Sequence, residues 1–379
     1  MSKTHSVILM RVLMVTPSYR PIKGGAEILV ENLSTKLNQI GINTDIMTFN
    51  MNEKWKPYWQ TNIEKIGGIK VFRIPAINWF PLKHSDRITM GINLIPGRFK
   101  NHLREYDVIH FHVGDLTFPV FLYTTRKPKV AQFHSSLAFH RRYFISRLIL
   151  KNIADLYIAI SQNMQRELEE LGVQPNKIRY VPNAVDTSVF QAPRNKERNL
   201  ILFVGRITFG KGLHILLNSL HKLEIRTHLV IIGPPDWDVE YFEEIRRQID
   251  HENRRGIHKI TYLGAQEQGC IAEWCQKASI FVLPSFREAS PVTILEAMSC
   301  ETPVVATDVG GISEVVVNGK NGILIPTNNP EELASSIQYL LDNEPARANL
   351  GREGRKTVVE HFSYDVVIKT LCQIYRELL

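Results

Sequence analysis

The sequence predicts an α/β protein made of two doubly wound, Rossmann-like domains that face each other across a cleft. Three observations carry this expectation. Short apolar runs alternate with amphipathic stretches along the chain, the pattern of parallel sheets covered by helices on both faces. The pattern stops over residues 186–199, which hold Pro193 and a polar, charged run without periodicity, and then restarts. The length of 379 residues suits two domains, each long enough to bury a core. Ligands of such sheets sit at the carboxyl ends of the strands, so the chemistry is expected in the cleft there.

The first strand is expected at residues 12–16. The apolar stretch around it contains Arg11 and runs into Thr16-Pro17, which makes it a buried strand and not a signal peptide. Residues 1–9 read as a dispensable tail, with Met10 an alternative start. Ala26, Leu29, Val30, Leu33, Leu37 and Ile40 follow the i, i+3, i+4, i+7 spacing of a helix that Gly41 ends. Further strands are expected at 44–49, 108–111, 130–133 and 157–160. The second half repeats the theme, with strands at 200–204, 229–232, 260–263, 280–283 and 304–306. Helices lie between them at 213–221, 241–251, 270–276 and 292–298. A final helix, 364–379, follows a break at His361-Phe362-Ser363. The expected division is therefore 1–188, 189–362 and a closing segment 363–379.

Composition narrows the function classes. Hydrophobic residues at 44% and charged residues at 22% exclude a disordered or collagen-like chain. Cys270, Cys275, Cys300 and Cys372 form no CxxC pair, which argues against a disulfide framework or structural zinc and for a reducing, cytoplasmic compartment. No apolar run reaches the ~20 residues of a membrane span. Charge is uneven: residues 1–188 carry 25 Lys and Arg against 14 Asp and Glu, the remainder 21 against 24. A basic first half implies an anionic partner there: a membrane surface, a phosphorylated acceptor or a nucleic acid.

The segment from Pro284 to Ser299 carries the most chemistry. Ser290 suits an N-cap and Pro291 the first helical position, which leaves the amides of Val292 and Thr293 free at a partly positive helix end. Glu288 precedes that end, and Glu296 lies about 7.5 Å beyond it along the axis at 1.5 Å per residue. Taken singly, each glutamate reads as a surface charge. Bracketing an anion site, the pair matches a nucleotide sugar: Glu288 for sugar hydroxyls, Glu296 for the ribose diol. The loop Gly205-Arg206…Gly210-Lys211 is close to a Walker A loop, but Gly212 stands where a magnesium-binding Ser or Thr is required. Its content is instead two cations, Arg206 and Lys211, able to neutralise a departing diphosphate in place of a metal.

Three weaker signals lie in the first half. Gly24-Gly25 opens the first helix and permits close backbone approach to a ligand, although the same pair serves equally well as a turn. His134 ends a strand, which places it at the expected cleft, while His110 and His112 read as packing or support. Asn183, in Val181-Pro182-Asn183, reads as a turn former that also lines the cleft. Asp236-Trp237-Asp238 has the D-x-D form of a metal site, but its place before a helix is better explained by N-capping.

Together, Glu288-x7-Glu296, Gly205-Arg206…Lys211-Gly212, Gly24-Gly25, His134 and Val181-Pro182-Asn183 occur in an order that resembles the family-four retaining glycosyltransferases. The stretch Glu288–Gly311, with Glu296-Ala297-Met298 and Thr302–Gly311 inside it, is highly specific, and the likeness covers nearly the whole chain. The resemblance implies a GT-B fold whose last helix crosses back onto the first domain. It implies metal-independent transfer of a hexose-type sugar, with retained configuration, from a nucleotide-diphosphate donor to a glycan or lipid-linked acceptor. No cofactor is implied. By similarity, Arg206 and Lys211 hold the diphosphate, Glu296 the ribose and Glu288 the sugar, with His134 and Gly25 beside the transferred sugar. Val292 and Thr293 supply helix-end amides. Ser290, where relatives often carry an aromatic, and Ser135, where they often carry an acidic residue or glycine, leave the donor sugar open. Two routes fit: front-face attack with the leaving phosphate taking the acceptor proton, or a covalent route through Glu288.

The acceptor is expected on the first domain, where segments 79–104 and 139–151 are rich in basic and apolar residues. The second reads either as an amphipathic helix for an anionic inner-membrane surface or as a packed helix with a solvated basic edge. Rival functions are another GT-B sugar-nucleotide enzyme of the epimerase or phosphorylase kind, or a nucleic-acid-binding protein suggested by a pI near 9.2. The Glu288–Glu296 segment argues against the first, and the lack of any recognition motif against the second.

Overall fold

The computed structural model describes residues 10–22, 24–52, 58, 60–75, 102–113, 125–134, 137, 150–192, 195–235 and 238–379. The expected tail 1–9, residues 79–101 and 139–149 of the two basic segments, Ser135 and Asp236 lie outside the described residues. The chain divides into two compact units, Met1–Pro182 with Ile368–Leu379, and Asn183–Val367.

The first unit holds eight strands: β1 Arg11–Val15, β2 Asn43–Phe49, β3 Asn62–Ile66, β4 Ile69–Ile74, β5 Val108–Val113, β6 Lys129–Phe133, β7 Leu156–Ala159 and β8 Ile178–Tyr180. Their order in the sheet is β3-β4-β2-β1-β5-β6-β7-β8. Every pairing is parallel except β3 with β4, which corrects the expectation of wholly parallel sheets. The exception has a local cause. Gly67 and Gly68 both take positive φ, 58° and 86°, and so close a two-residue hairpin. Helix α1, Gly25–Gln39, follows β1 and buries Leu29, Val30, Leu33 and Leu37 on one stripe. Helix α2, Gln162–Glu170, starts at Ser161, whose side chain accepts from the Met164 amide.

The second unit holds a six-stranded, wholly parallel sheet ordered β11-β10-β9-β12-β13-β14. Its strands are β9 Leu200–Val204, β10 His228–Ile232, β11 Lys259–Tyr262, β12 Ile280–Leu283, β13 Val304–Thr307 and β14 Ile323–Ile325. β9 and β12 are apolar along their whole length because helices cover both faces. Each such Leu, Ile or Phe contributes about 1.5–3 kcal/mol by leaving water. The helices are α3 Leu213–Leu220, α4 Val239–Arg255, α5 Gln268–Lys277, α6 Val292–Ser299, α7 Pro330–Asp342 and α8 Glu344–His361. A last helix, α9 Tyr364–Glu377, spans the division, with its residues from Ile368 onward in the first unit. There Tyr375 is fully buried and its hydroxyl lies 2.7 Å from His110 Nδ1. Among the described residues, no helix is long and apolar enough to cross a membrane.

The division falls at Pro182/Asn183, ahead of the expected 188/189, because the segment that follows packs on the second unit. The Val185 amide donates to Phe362 O, and Phe190, 1% exposed, receives the Ser299 hydroxyl at its carbonyl. Lys196 fastens the same segment. Its Nζ reaches Ala278 O at 3.1 Å, Cys300 O at 3.2 Å and Thr302 Oγ1 at 2.7 Å. Burial pushes this amine down to about 8, so removing it relieves a desolvated charge while stranding its acceptors. We expect Lys196→Met to cost on the order of 2 kcal/mol net, read as a lower urea midpoint at unchanged slope. An unchanged midpoint would show that these contacts contribute nothing.

Candidate active site

In the second unit, β10 lies on one side of β9 and β12 on the other, so the strand order reverses between β9 and β12. The loops leaving the carboxyl ends of these two neighbours therefore emerge together at a switch point. They are Gly205–Gly212 and Pro284–Pro291. Hydrogen-bonded contacts stitch them. The Phe286 amide donates to Gly210 O at 2.8 Å, and Lys211 Nζ lies 2.5 Å from Glu288 Oε2. Glu288 is largely buried, with its side chain 12% exposed, and Lys211 is partly so.

Glycine is required at two places that hold this geometry. Gly212 has φ 69°, and a Cβ there would sit 2.0 Å from Pro284 O. Gly310 has φ 53°, and a Cβ there would sit 1.9 Å from Glu288 O, while the Gly311 amide donates to that same carbonyl at 2.9 Å. The backbone of Glu288 is thus pinned from below by the turn after β13, and its carboxylate is aimed at Lys211.

Helix α6 begins one residue later than expected. Pro291 is itself the N-cap, with φ −86° and ψ 83°, and no side chain caps the helix. Ser290 serves through its carbonyl instead, accepting from the Val292 amide at 3.1 Å. The Val292 amide is therefore not available to a ligand, and among the described residues the Thr293 amide has no acceptor. Glu296 is 6% exposed, and no hydrogen bond or ion pair reaches its carboxylate among the described residues. Burial alone pushes this acid up to about 8. Arg206 lies exposed on the loop after β9, and Asn183, 6% exposed, opens the segment that enters the unit. Asp238 caps α4, accepting from the Tyr241 amide at 3.0 Å, in line with its reading as a cap.

In the first unit, β5 sits between β1 and β6, so their carboxyl ends lie side by side. His134 follows β6, and its Nε2 lies 3.0 Å from Nδ1 of His112 on β5. Gly24 caps α1 in extended conformation. The Glu27 carboxylate turns back over it, since a Cβ on Gly24 would meet Glu27 Oε2 at 2.5 Å, and it also receives the Ser18 hydroxyl. The structure thus brings Lys211 and Glu288 together in one unit and His134 to His112 in the other. It adds Ser18 and Glu27, which the residue pattern did not single out. Their signal was the acidic residue at the third helical position, the place from which a carboxylate reaches back over an N-terminus.

Residues 185–357 match the glycosyl transferases group 1 family, and residues 23–189 match Glycosyltransferase Family 4. The two matches overlap at residues 185–189 and together take in most of the chain. The chain belongs to the family-four glycosyltransferases. Similar relatives run the full length of this glycosyltransferase. An uncharacterized glycosyltransferase of Methanocaldococcus jannaschii is 28% identical over 382 residues, 98% of this chain and 99% of the relative. O-antigen chain mannosyltransferase C of Escherichia coli is 25% identical over 393 residues, 98% and 99% of the two chains. Among solved structures, sucrose-phosphate synthase of Thermosynechococcus elongatus superposes with a TM-score of 0.77 at 20% identity, covering 97% of this chain and 99% of that one. Anabaena HepE in complex with UDP and glucose superposes with a TM-score of 0.76 at 19% identity, covering 97% and 100%. The fold of this glycosyltransferase is GT-B, with a Rossmann-like parallel sheet in the second unit and a mostly parallel one in the first.

Proposed function

We propose that this glycosyltransferase moves a hexose-type sugar from a nucleotide-diphosphate donor to a glycan or lipid-linked acceptor, without a metal and with retained configuration. The observation that carries the reading is Glu296. A carboxylate that is 6% exposed and has no partner among the described residues is costly unless a ligand supplies one, and a ribose diol supplies two hydroxyl donors. The same helix starts just after the loop that sets Glu288 on Lys211. Anabaena HepE, of the same fold, binds UDP and glucose, which supports a nucleotide sugar as the donor.

In this reading Lys211 and Arg206 take the diphosphate, aided by the Thr293 amide, and Glu288 passes from its lysine to the sugar hydroxyls. The acceptor hydroxyl attacks the anomeric carbon on the face the diphosphate leaves, and the leaving phosphate oxygen takes its proton. Charge grows on that oxygen beside two cations and a helix end, which is where fixed positive groups lower a barrier most. A double displacement through Glu288 would want a second, paired carboxylate; its nearest charged partner is a lysine.

The test is thermal stabilisation by UDP-, GDP- and ADP-sugars in the presence of EDTA. A donor at a hundred times its Kd adds about 2.7 kcal/mol, which raises Tm by several degrees for a chain of this size. If no nucleotide sugar shifts Tm, the reading fails. If one does so only with added divalent metal, the metal-independent part fails. Product anomeric configuration by NMR then decides retention.

A further inference from the structure

We propose that Phe209 is a positioning residue for this transfer: stacked on the rings of Phe286 and His214, it sets the single turn that carries Lys211 and so aims the lysine. That the lysine is aimed at a diphosphate rests on the reading above; that Phe209 sets the turn does not.

Two loops of the second unit face each other with matching spacing. Phe209 stands two residues before Lys211, and Phe286 two residues before Glu288. Ring meets ring and cation meets carboxylate. The Phe209 and Phe286 centroids are 5.3 Å apart with planes 11° from parallel, and Lys211 Nζ lies 2.5 Å from Glu288 Oε2. Between the two pairs the Phe286 amide donates to Gly210 O at 2.8 Å. Phe209–Lys211 is one 3₁₀ turn, closed by the Lys211 amide on Thr208 O and the Gly212 amide on Phe209 O. A turn this short fixes the direction of its last residue once its first is held. Lys211 itself is flanked by Gly210 and Gly212, which have no side chain to pack. Between Ile207 and Leu213, both fully buried, Phe209 is thus the large apolar side chain that can anchor the loop.

The rings it meets are themselves fixed. His214, in the first turn of α3, lies 4.7 Å from Phe209 with planes 20° apart, and 5.8 Å from Phe286 with planes 11° apart. Its Nδ1 lies 2.9 Å from the Tyr241 hydroxyl, and Tyr241 stands edge-on to both His214 and Phe209. Offset stacks and edge-on contacts at these distances are the favourable arrangements of aromatic rings, and they hold orientation as well as depth. Phe209 is 58% exposed, so truncating it takes a ring from the stack and opens little of the core. Its loss is expected to register in the position of Lys211 before it registers in stability.

The experiment uses the full chain. In the first arm, without ligand, amide hydrogen exchange is followed by NMR in wild type and Phe209→Ala. The amides of Phe286 and Gly212 are expected to exchange about tenfold faster or more in the variant, while that of Leu202 in β9 is unchanged. Unchanged exchange at Phe286 and Gly212 overturns the proposal. The second arm is a double-mutant cycle with the nucleotide sugar found by thermal shift. Phe209→Ala is expected to lower kcat/KM about tenfold in wild type and to cost less than about twofold when Lys211 is already alanine. An equal loss in both backgrounds overturns the route through Lys211. Phe209→Tyr, which keeps a ring, is expected to recover kcat/KM to within about threefold of wild type. Should Phe209→Ala not keep the wild-type Tm, Phe209→Leu, with apolar bulk and no flat face, takes its place in both arms. If wild type turns over no nucleotide sugar, the donor reading fails, and the exchange arm still decides whether Phe209 sets the turn.

Discussion

Replacing Lys211 with alanine is expected to lower kcat by about 100- to 1,000-fold, the usual loss when one preorganised donor to a developing oxyanion is removed. The substitution also strands the Glu288 carboxylate, which is only 12% exposed and would point its charge at the incoming diphosphate. Weaker nucleotide binding should accompany slower turnover. The two contributions separate in the double variant Lys211→Ala/Glu288→Gln. Neutralising Glu288 removes the unpaired charge, so Tm and nucleotide affinity should recover in part, while kcat stays low because Arg206 alone is left beside the leaving group. Calorimetry with the nucleoside diphosphate and single-turnover kinetics give the two quantities. Retention of activity within a few fold in Lys211→Ala would remove this lysine from the mechanism.

Glu296→Gln should move stability and function in opposite directions. Burial raises this acid from an ordinary 4.5 to about 8. Between those values the folded chain keeps a proton that the unfolded chain releases, so stability is full below pH 4.5 and falls as pH rises toward 8. Above pH 8 the loss is complete, and for a shift of this size it amounts to a few kcal/mol. Glutamine does not titrate. The variant is therefore expected to match wild type in Tm near pH 5 and to exceed it clearly at pH 9. Donor affinity should drop at the same time by about 10- to 100-fold, because an amide offers one acceptor oxygen where the carboxylate offers two. A Tm difference that does not change with pH would mean that Glu296 is not strained by burial. A gain in Tm that grows with pH, beside a loss of donor affinity, is the pattern of a binding group retained at a cost to the fold.

How much of this was readable without coordinates differs by element. β9 and β12 fall where the apolar runs put them, at Leu200–Val204 and Ile280–Leu283, since strands covered on both faces have no polar positions to blur their ends. Apolar runs do not mark β3 and β4, although Gly67-Gly68 between Ile66 and Ile69 is a hairpin signal; the exposed edge strand β3 lacks a clean apolar face. Helices α7 and α8 also carried readable starts, Asn329 before Pro330 and Asn343 before Pro345, each asparagine accepting from a first-turn amide.

The active-site groups were legible as residue types and not as partners. Lys211 and Glu288 lie 77 positions apart and meet only because β9 and β12 are neighbours. Ser290 and Pro291 suggest an earlier start for α6 than the structure has, because the loop is held by Gly310 and Gly311 on the turn after β13, which overrides the preference of Ser290 for capping with its hydroxyl. The His112–His134 contact depends on β5 and β6 lying side by side, which no local pattern announces.

The burial of Tyr375 against His110 has a consequence for biosynthesis. These residues are 265 positions apart, and the ribosome makes the whole of the second unit between them. Domains tend to fold in the order they are made, but this one lacks its last piece until α9 has been made. A nascent chain stopped early carries an unfinished histidine cluster and a bared core face, which marks it for chaperones and proteases. Only a chain made through α9 can seal that face.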